Sequence, residues 1–172
     1  MAYAALFLAL CLVLPMLTGQ IPQIGSMLLP MHIPVLLCGL VCGWQYGAVV
    51  GFVAPLLRSV LFGMPPMYPV AIAMAFELLT YGLVIGLVYR RMAQKGAAGV
   101  YAALVTAMVA GRLVWGVAEV VLLGLGGKAF TIQAFLAGAL LNAVPGIIVQ
   151  LVLIPAVMAA LQKAGAVKEY AE

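Results

Sequence analysis

Four charged residues lie inside otherwise apolar stretches of this 172-residue chain: Arg58, Glu77, Arg112 and Glu119. At the centre of a membrane-spanning helix, each such charge costs about 2.5–3.5 kcal/mol on insertion scales. Four uncompensated charges would therefore cost about as much as the whole stability of a domain. They must pair with one another or line a polar cavity, and such cavities between membrane helices commonly bind small solutes.

Aromatic residues share helix faces with these charges. Arg112, Trp115 and Glu119 follow an i, i+3, i+7 pattern, and Glu77 and Tyr81 are spaced i, i+4. Each set therefore lies on one face of its helix.

Two further polar residues complete a candidate site. Asn142 lies in a later predicted helix, and His32 begins an earlier one, although His32 on its own is typical of a helix-end packing residue. This composition suits a polar small molecule with aromatic or carboxylate parts. The candidate substrate-binding residues are His32, Arg58, Glu77, Tyr81, Arg112, Trp115, Glu119 and Asn142.

The sequence gives little support to enzyme chemistry. It has one His, no Asp, and neither an HExxH nor a GxSxG motif, so it lacks the residues of a zinc protease or a serine hydrolase. Residues 124–129, GLGGKA, lack the spacing and the Ser or Thr of a phosphate-binding loop. A bare metal ion would need several carboxylates or His together. We predict no enzymatic activity, no cofactor and no metal site.

Membrane helices must position these residues. Only 7% of the chain is charged and 67% is hydrophobic, whereas a soluble domain is about 25% charged. The alternating pattern of a membrane β-barrel is also missing. At about 20 residues per helical span, the length holds about six spans and no soluble domain. The sequence predicts one all-α polytopic membrane domain, residues 1–172, with six transmembrane helices.

Proline, glycine and charge clusters set the bounds of the spans. Residues 31–63 would form a helix about 50 Å long against a hydrocarbon core of about 30 Å, so we predict a break at Gly43–Gly47. In the last span, Pro145 or Pro155 introduces a kink or sets off a shorter piece. The predicted spans lie near 2–17, 31–43, 46–62, 68–89, 98–123 and 131–161, with an outer loop at 18–30.

The basic clusters set the orientation. Six spans put both termini and the turn with Arg90, Arg91 and Lys95 on one side, which the positive-inside rule makes the cytoplasm. Loops 18–30, 63–67 and 124–130 then face outward.

The depth of the four charges follows from this orientation. At about 3.6 residues per turn, Arg58 and Glu119 lie about one to two turns below the outer surface, Glu77 between two and three, and Arg112 about three. An alternative to a binding site is that Arg58–Glu77 and Arg112–Glu119 are structural ion pairs. The glycines that recur every four residues from Gly39 to Gly51 have small-xxx-small spacing, which we attribute to packing within the chain.

The sequence resembles the substrate-binding S components of energy-coupling factor (ECF) vitamin transporters. The resemblance extends over most of the chain and is densest at residues 29–35, 39–51 and 142–148. It implies a multi-pass protein of the cell membrane that binds a water-soluble vitamin from outside and closes the loop at 18–30 over it. Pantothenate is favoured by overall resemblance, with riboflavin, folate or a thiamine precursor as alternatives.

The resemblance also implies partners. In this family the S component docks on a transmembrane T component that carries two cytoplasmic ATPases. Small residues spaced AxxxA on the first helix contact the T component, and here these are Ala5 and Ala9. No nucleic acid is implied.

Two other function classes compete with this one. A stand-alone permease would use Glu77 or Glu119 as a proton-coupled carboxylate, although the sequence lacks clear inverted repeats. A non-transporting scaffold would use all four buried charges as structural pairs.

Overall fold

The structure, a computed structural model, describes residues 1–17, 27–92, 96–127, 131, 133, 137, 143–165 and 167. These residues are helices and connecting turns, with no strand among them. Some predicted features lie outside them: residues 18–26 of the outer loop, Asn142, and most of the first part of the sixth predicted span.

Six α-helices and one π-helical turn form the described part of the chain. They are α1 (Ala2–Leu17), α2 (His32–Cys42), α3 (Trp44–Phe62), the π-helical turn (Met67–Ala71), α4 (Ile72–Met92), α5 (Ala97–Leu125) and α6 (Val144–Lys163). Four of these are long and apolar enough to cross a membrane: α3, α4 with its π-helical turn, α5 and α6. α1 is shorter, and the 11 residues of α2 measure only about 16 Å along the helix axis.

The long apolar run at 31–63 breaks at Gly43, within the predicted segment. Gly43 has φ +93°, a conformation that glycine adopts readily and other residues rarely do. The chain reverses direction there, so that α3 runs back along α2. The two backbones are close: a Cβ placed on Gly47 of α3 would lie 2.7 Å from the Cα of Gly39 in α2. α2 and α3 therefore form a tight helical hairpin.

α4 is the central helix, and it packs against α2, α3 and α5. Glycines bring the backbones close: a Cβ on Gly82 would overlap the carbonyl of Gly47, one on Gly39 would lie 2.7 Å from the carbonyl oxygen of Gly82, and one on Gly51 would overlap the carbonyl of Leu78. The glycine spacing thus serves packing within the chain, as predicted.

The outer helices cover this centre. α1 packs on α2 and α3 with one face, which buries Ala4, Phe7, Cys11 and Pro15. α6 contacts α5 and α2. Pro145 lies in its first turn, where the missing N–H of proline costs nothing.

Two details differ from the expected bounds. α5 continues through Gly124 to Leu125, where the sequence suggested that a turn begins, because helical hydrogen bonds persist up to Gly126. Before α4, the chain passes through the π-helical turn, and the hydroxyl of Tyr68 in this turn donates to the carbonyl of Leu122 near the end of α5.

We expect Gly82→Ala to lower the unfolding temperature of the detergent-purified protein. Alanine favours a helix over glycine by about 0.8–1.0 kcal/mol, but its methyl group would overlap backbone atoms of α3, and overpacking typically costs about 1–3 kcal/mol. Gly124→Ala is the matched control, since a Cβ there meets no heavy atom within 4 Å. That variant should be at least as stable as the wild type, and equal unfolding temperatures for both variants would contradict the close-packing account.

Candidate functional site

Glu77 of α4 is the centre of a buried polar cluster. Its Oε1 lies 3.1 Å from Nη1 of Arg112 in α5 and 3.4 Å from Nε2 of His32 in α2. The Glu77 and His32 side chains are almost fully buried, whereas that of Arg112 is 13% exposed. Three helices thus bring one acidic group and two basic groups together away from water.

The ion pair joins different residues from those suggested by the structural alternative. Arg112 lies beside Glu77 rather than pairing with Glu119, because α4 and α5 pack closely along their length. Arg58 is buried in α3, where its Nη1 donates to the carbonyl of Leu12 in α1. Its guanidinium carbon also lies 5.3 Å from the centre of the Phe62 ring.

Aromatic rings form one wall of the cluster. The ring of His32 meets that of Tyr81 edge to face, with centroids 5.1 Å apart and an interplanar angle of 76°. Tyr81 fits against α5 because Gly111 has no side chain: a Cβ there would lie 2.9 Å from Cε2 of the tyrosine ring. The guanidinium carbon of Arg112 lies 6.0 Å from the centre of the Trp115 ring, at the limit of a cation–π contact.

Several buried polar atoms of the cluster have no hydrogen-bond partner. They are both ring nitrogens of His32, Oε1 of Glu77, and Nε and Nη2 of Arg112. The contacts to Glu77 Oε1 are therefore close in distance without the alignment of hydrogen bonds. An unmet buried polar group costs about 1–3 kcal/mol, so such groups call for an explanation.

Glu119 lies near the cluster without joining the ion pair. It is buried and close enough to Glu77 for the two like charges to interact. No described basic group lies within ion-pair distance of it. In the part of the chain that the structure describes, no three His, Cys, Asp or Glu side chains are grouped so as to hold a metal ion.

The structure thus groups five of the eight predicted site residues: His32, Glu77, Tyr81, Arg112 and Trp115. Glu119 lies nearby, Arg58 contacts α1 instead, and Asn142 falls outside the described residues.

Two residues were missed by the sequence reasoning. Gly111 leaves room for the Tyr81 ring, and its signal was a glycine directly before Arg112, an arginine within an apolar span. Gln150 of α6 is 1% exposed, and its Nε2 has no partner. Its signal was a lone amide in the apolar run of residues 144–155.

A separate groove between α4 and α5 has apolar walls only. Phe76, Leu113, Val117 and Val121 line it, and all four are exposed on the outside of the helix pair. A surface of this kind suits lipid chains rather than a polar solute.

Ala5 and Ala9 lie on the face of α1 that points away from the bundle. Both are exposed, whereas the opposite face of α1 is buried against α2 and α3. This placement leaves the AxxxA pair open to a neighbouring protein or to lipid.

Comparison with known proteins gives one family. Residues 1–159 match the family model described as the ECF transporter, substrate-specific component. Neither the curated proteins nor the solved structures contain a match. Since the match covers most of the 172 residues, the chain belongs to the family of ECF transporter substrate-specific components.

Proposed function

We propose that this multi-pass cell-membrane protein binds a water-soluble vitamin or a related small molecule from outside and delivers it for uptake as the S component of an ECF transporter. Family membership supports substrate-specific transport, and a binding role rather than an enzymatic one. The observation that carries the proposed site is the buried meeting of His32, Glu77 and Arg112 with unpartnered polar atoms.

The energetics of the cluster favour a binding role over a purely structural one. A structural ion pair in a membrane protein is expected to satisfy its remaining hydrogen-bonding groups, because breaking or under-satisfying a buried pair is costly. Arg112 instead keeps two buried donors without acceptors. A polar solute bound between α2, α4 and α5 would supply acceptors and offset that cost.

The proposed topology has six spans, both termini in the cytoplasm and the site in the outer half of the membrane. The exposed Arg90 and Arg91 in the last turn of α4 support this orientation. His32, at the first residue of α2, follows the predicted outer loop at 18–30, which would close over the substrate. The close approach of Met27 and Leu28 to Gly146 would hold the end of that loop against α6.

The remaining predicted residues have separate parts in this proposal. Glu119 and Asn142 would extend the site along α5 and the sixth span. Arg58, by donating to the carbonyl of Leu12, would hold the C-terminal half of α1 beside the site. Pantothenate is the favoured substrate, with riboflavin, folate or a thiamine precursor as alternatives.

Energy would come from partners, since the sequence has no recognisable ATPase motif. We propose that Ala5 and Ala9 on the exposed face of α1 contact a T component, which carries two cytoplasmic ATPase subunits. Small residues at this spacing allow close approach of a partner helix.

The isolated protein should bind a vitamin, and Arg112→Ala should weaken that binding at least about 10-fold, because a hydrogen bond to a charged group contributes about 1.5–3 kcal/mol. Thermal-shift screening of pantothenate, riboflavin, folate and thiamine precursors in detergent, followed by calorimetry, would measure this. Arg91→Ala, at an exposed site in α4, should leave affinity unchanged. If no vitamin binds and Arg112→Ala is silent, the proposed site is wrong.

Gly111→Ala should lower vitamin affinity several-fold, since the new methyl group would displace the ring of Tyr81 and with it the contact to His32. Calorimetry on the folded variant is the measurement. Gly124→Ala on the same helix is the matched control, because open space surrounds it. Unchanged affinity in the Gly111 variant would remove Tyr81 from the site.

Ala9→Leu should abolish vitamin uptake in cells that supply the T component and ATPases, while leaving vitamin binding by the purified protein intact. The larger side chain would separate α1 from the partner helix. Ala156→Leu, at another exposed alanine on α6, serves as the control and should transport normally. Uptake that persists without ATPases and collapses with the proton gradient would instead indicate a secondary permease.

A further inference from the structure

The guanidinium of Arg112 contacts Glu77 through one nitrogen, and its other two nitrogens have no hydrogen-bond partner. Nη1 faces Glu77 at 3.1 Å, whereas Nε and Nη2 are buried and unpartnered. In an arginine side chain, the N–H of Nε and one N–H of Nη2 point in parallel to the same side. Two parallel donors in a plane match the two oxygens of a carboxylate.

No described group is hydrogen-bonded to the Nε/Nη2 edge of Arg112, although the hydroxyl of Tyr81 lies close enough to interact with Arg112 and Glu77. On one side, Arg112 meets the aromatic face of Trp115, which contributes a π surface but no carboxylate. Glu77 approaches through Nη1. Glu119, two turns further along α5, is not within ion-pair distance.

The charges of the cluster limit what the edge accepts. Arg112 contributes one positive charge and Glu77 one negative charge, and Glu119 lies near enough to Glu77 for the two carboxyl groups to interact. A dianionic group such as a phosphate monoester would add two more negative charges to a poorly solvated site. A single carboxylate adds one.

We propose that the Nε/Nη2 edge of Arg112 binds the carboxylate of a monocarboxylic substrate, with Glu77 as a positioning residue that orients Arg112 through Nη1. Oε1 of Glu77 and both ring nitrogens of His32 also lack hydrogen-bond partners. A hydroxyl, amide or amine group elsewhere on the substrate donates a hydrogen bond to one of these atoms. This assignment rests on the proposed function and names the substrate class of the same site.

The site is closed in this structure, because the unpartnered atoms of Arg112 and His32 are shielded from water. Substrate access therefore requires movement of the groups that cover them. Once the substrate is inside, water is excluded and the charge-assisted hydrogen bonds are stronger than on an exposed surface.

The test uses matched pairs of probes that differ in the acidic group: pantothenate and panthenol, biotin and biotin amide, nicotinate and nicotinamide. Riboflavin and thiamine represent vitamins without a carboxylate, and riboflavin 5′-phosphate represents a phosphate monoester. Calorimetry on the wild-type protein should show that a carboxylate binds, and that its neutral partner binds roughly 10- to 100-fold more weakly.

A second arm compares Arg112→Lys and Arg112→Gln with the wild type. Lysine keeps the charge but lacks the planar fork, so both variants should bind the carboxylate roughly 10- to 100-fold more weakly. In both variants, the difference in affinity between the carboxylate and its neutral partner should also be smaller than in the wild type. General destabilisation would weaken both ligands equally and leave that difference unchanged. Arg90→Lys, at an exposed site, should match the wild type.

The outcomes separate this inference from the proposed function. Tight binding of riboflavin or thiamine, unaffected by the Arg112 variants, would uphold vitamin capture and overturn the carboxylate assignment. A preference for riboflavin 5′-phosphate over the carboxylates would overturn it as well. Failure of every probe to bind would contradict both proposals. The comparison of each carboxylate with its neutral partner on the wild-type protein tests the carboxylate assignment even if an Arg112 variant does not fold.

Discussion

A charge in the hydrocarbon core must find its compensation inside the protein, and in this chain Glu77 provides it. Its carboxylate contacts both Arg112 and His32. The helices α2, α4 and α5 therefore meet at this residue. Without that shared partner, each buried charge would face apolar surroundings at a cost of several kcal/mol. The position of Glu77 on α4, which packs against α2, α3 and α5, makes this meeting possible.

The approach of the helices to Glu77 depends on residues that have no side chain. Gly39, Gly47 and Gly82 let the α2–α3 hairpin lie directly against the backbone of α4, which is the way membrane helices gain packing energy in the absence of a hydrophobic driving force between them. Gly111 has the same role on the other side of α4, where it admits Tyr81. The polar cluster and the glycine contacts are therefore parts of one arrangement.

The two faces of α1 have different surroundings. One face of this helix packs on α2 and α3, and its exposed face carries Ala5 and Ala9. Arg58 joins α3 to α1 through the carbonyl of Leu12. In the proposed function, the polar cluster would be the substrate site of this ECF transporter component, and Ala5 and Ala9 would lie on its partner surface.

The sequence by itself determined the class of the protein, because a chain that is only 7% charged and lacks alternating apolar and polar residues is typical of a membrane helix bundle. It also indicated the break at Gly43, the packing role of the glycines, the family, and the buried charges Glu77 and Arg112 at similar depths. Only the tertiary structure decided that Arg112 meets Glu77 rather than Glu119 and that Arg58 turns to α1. Periodicity places residues on a face of one helix, but the rotation and height of that helix against its neighbours follow from backbone contacts between distant segments. His32 entered the cluster for the same reason, since a helix-end histidine acquires its role from the helix that packs against it.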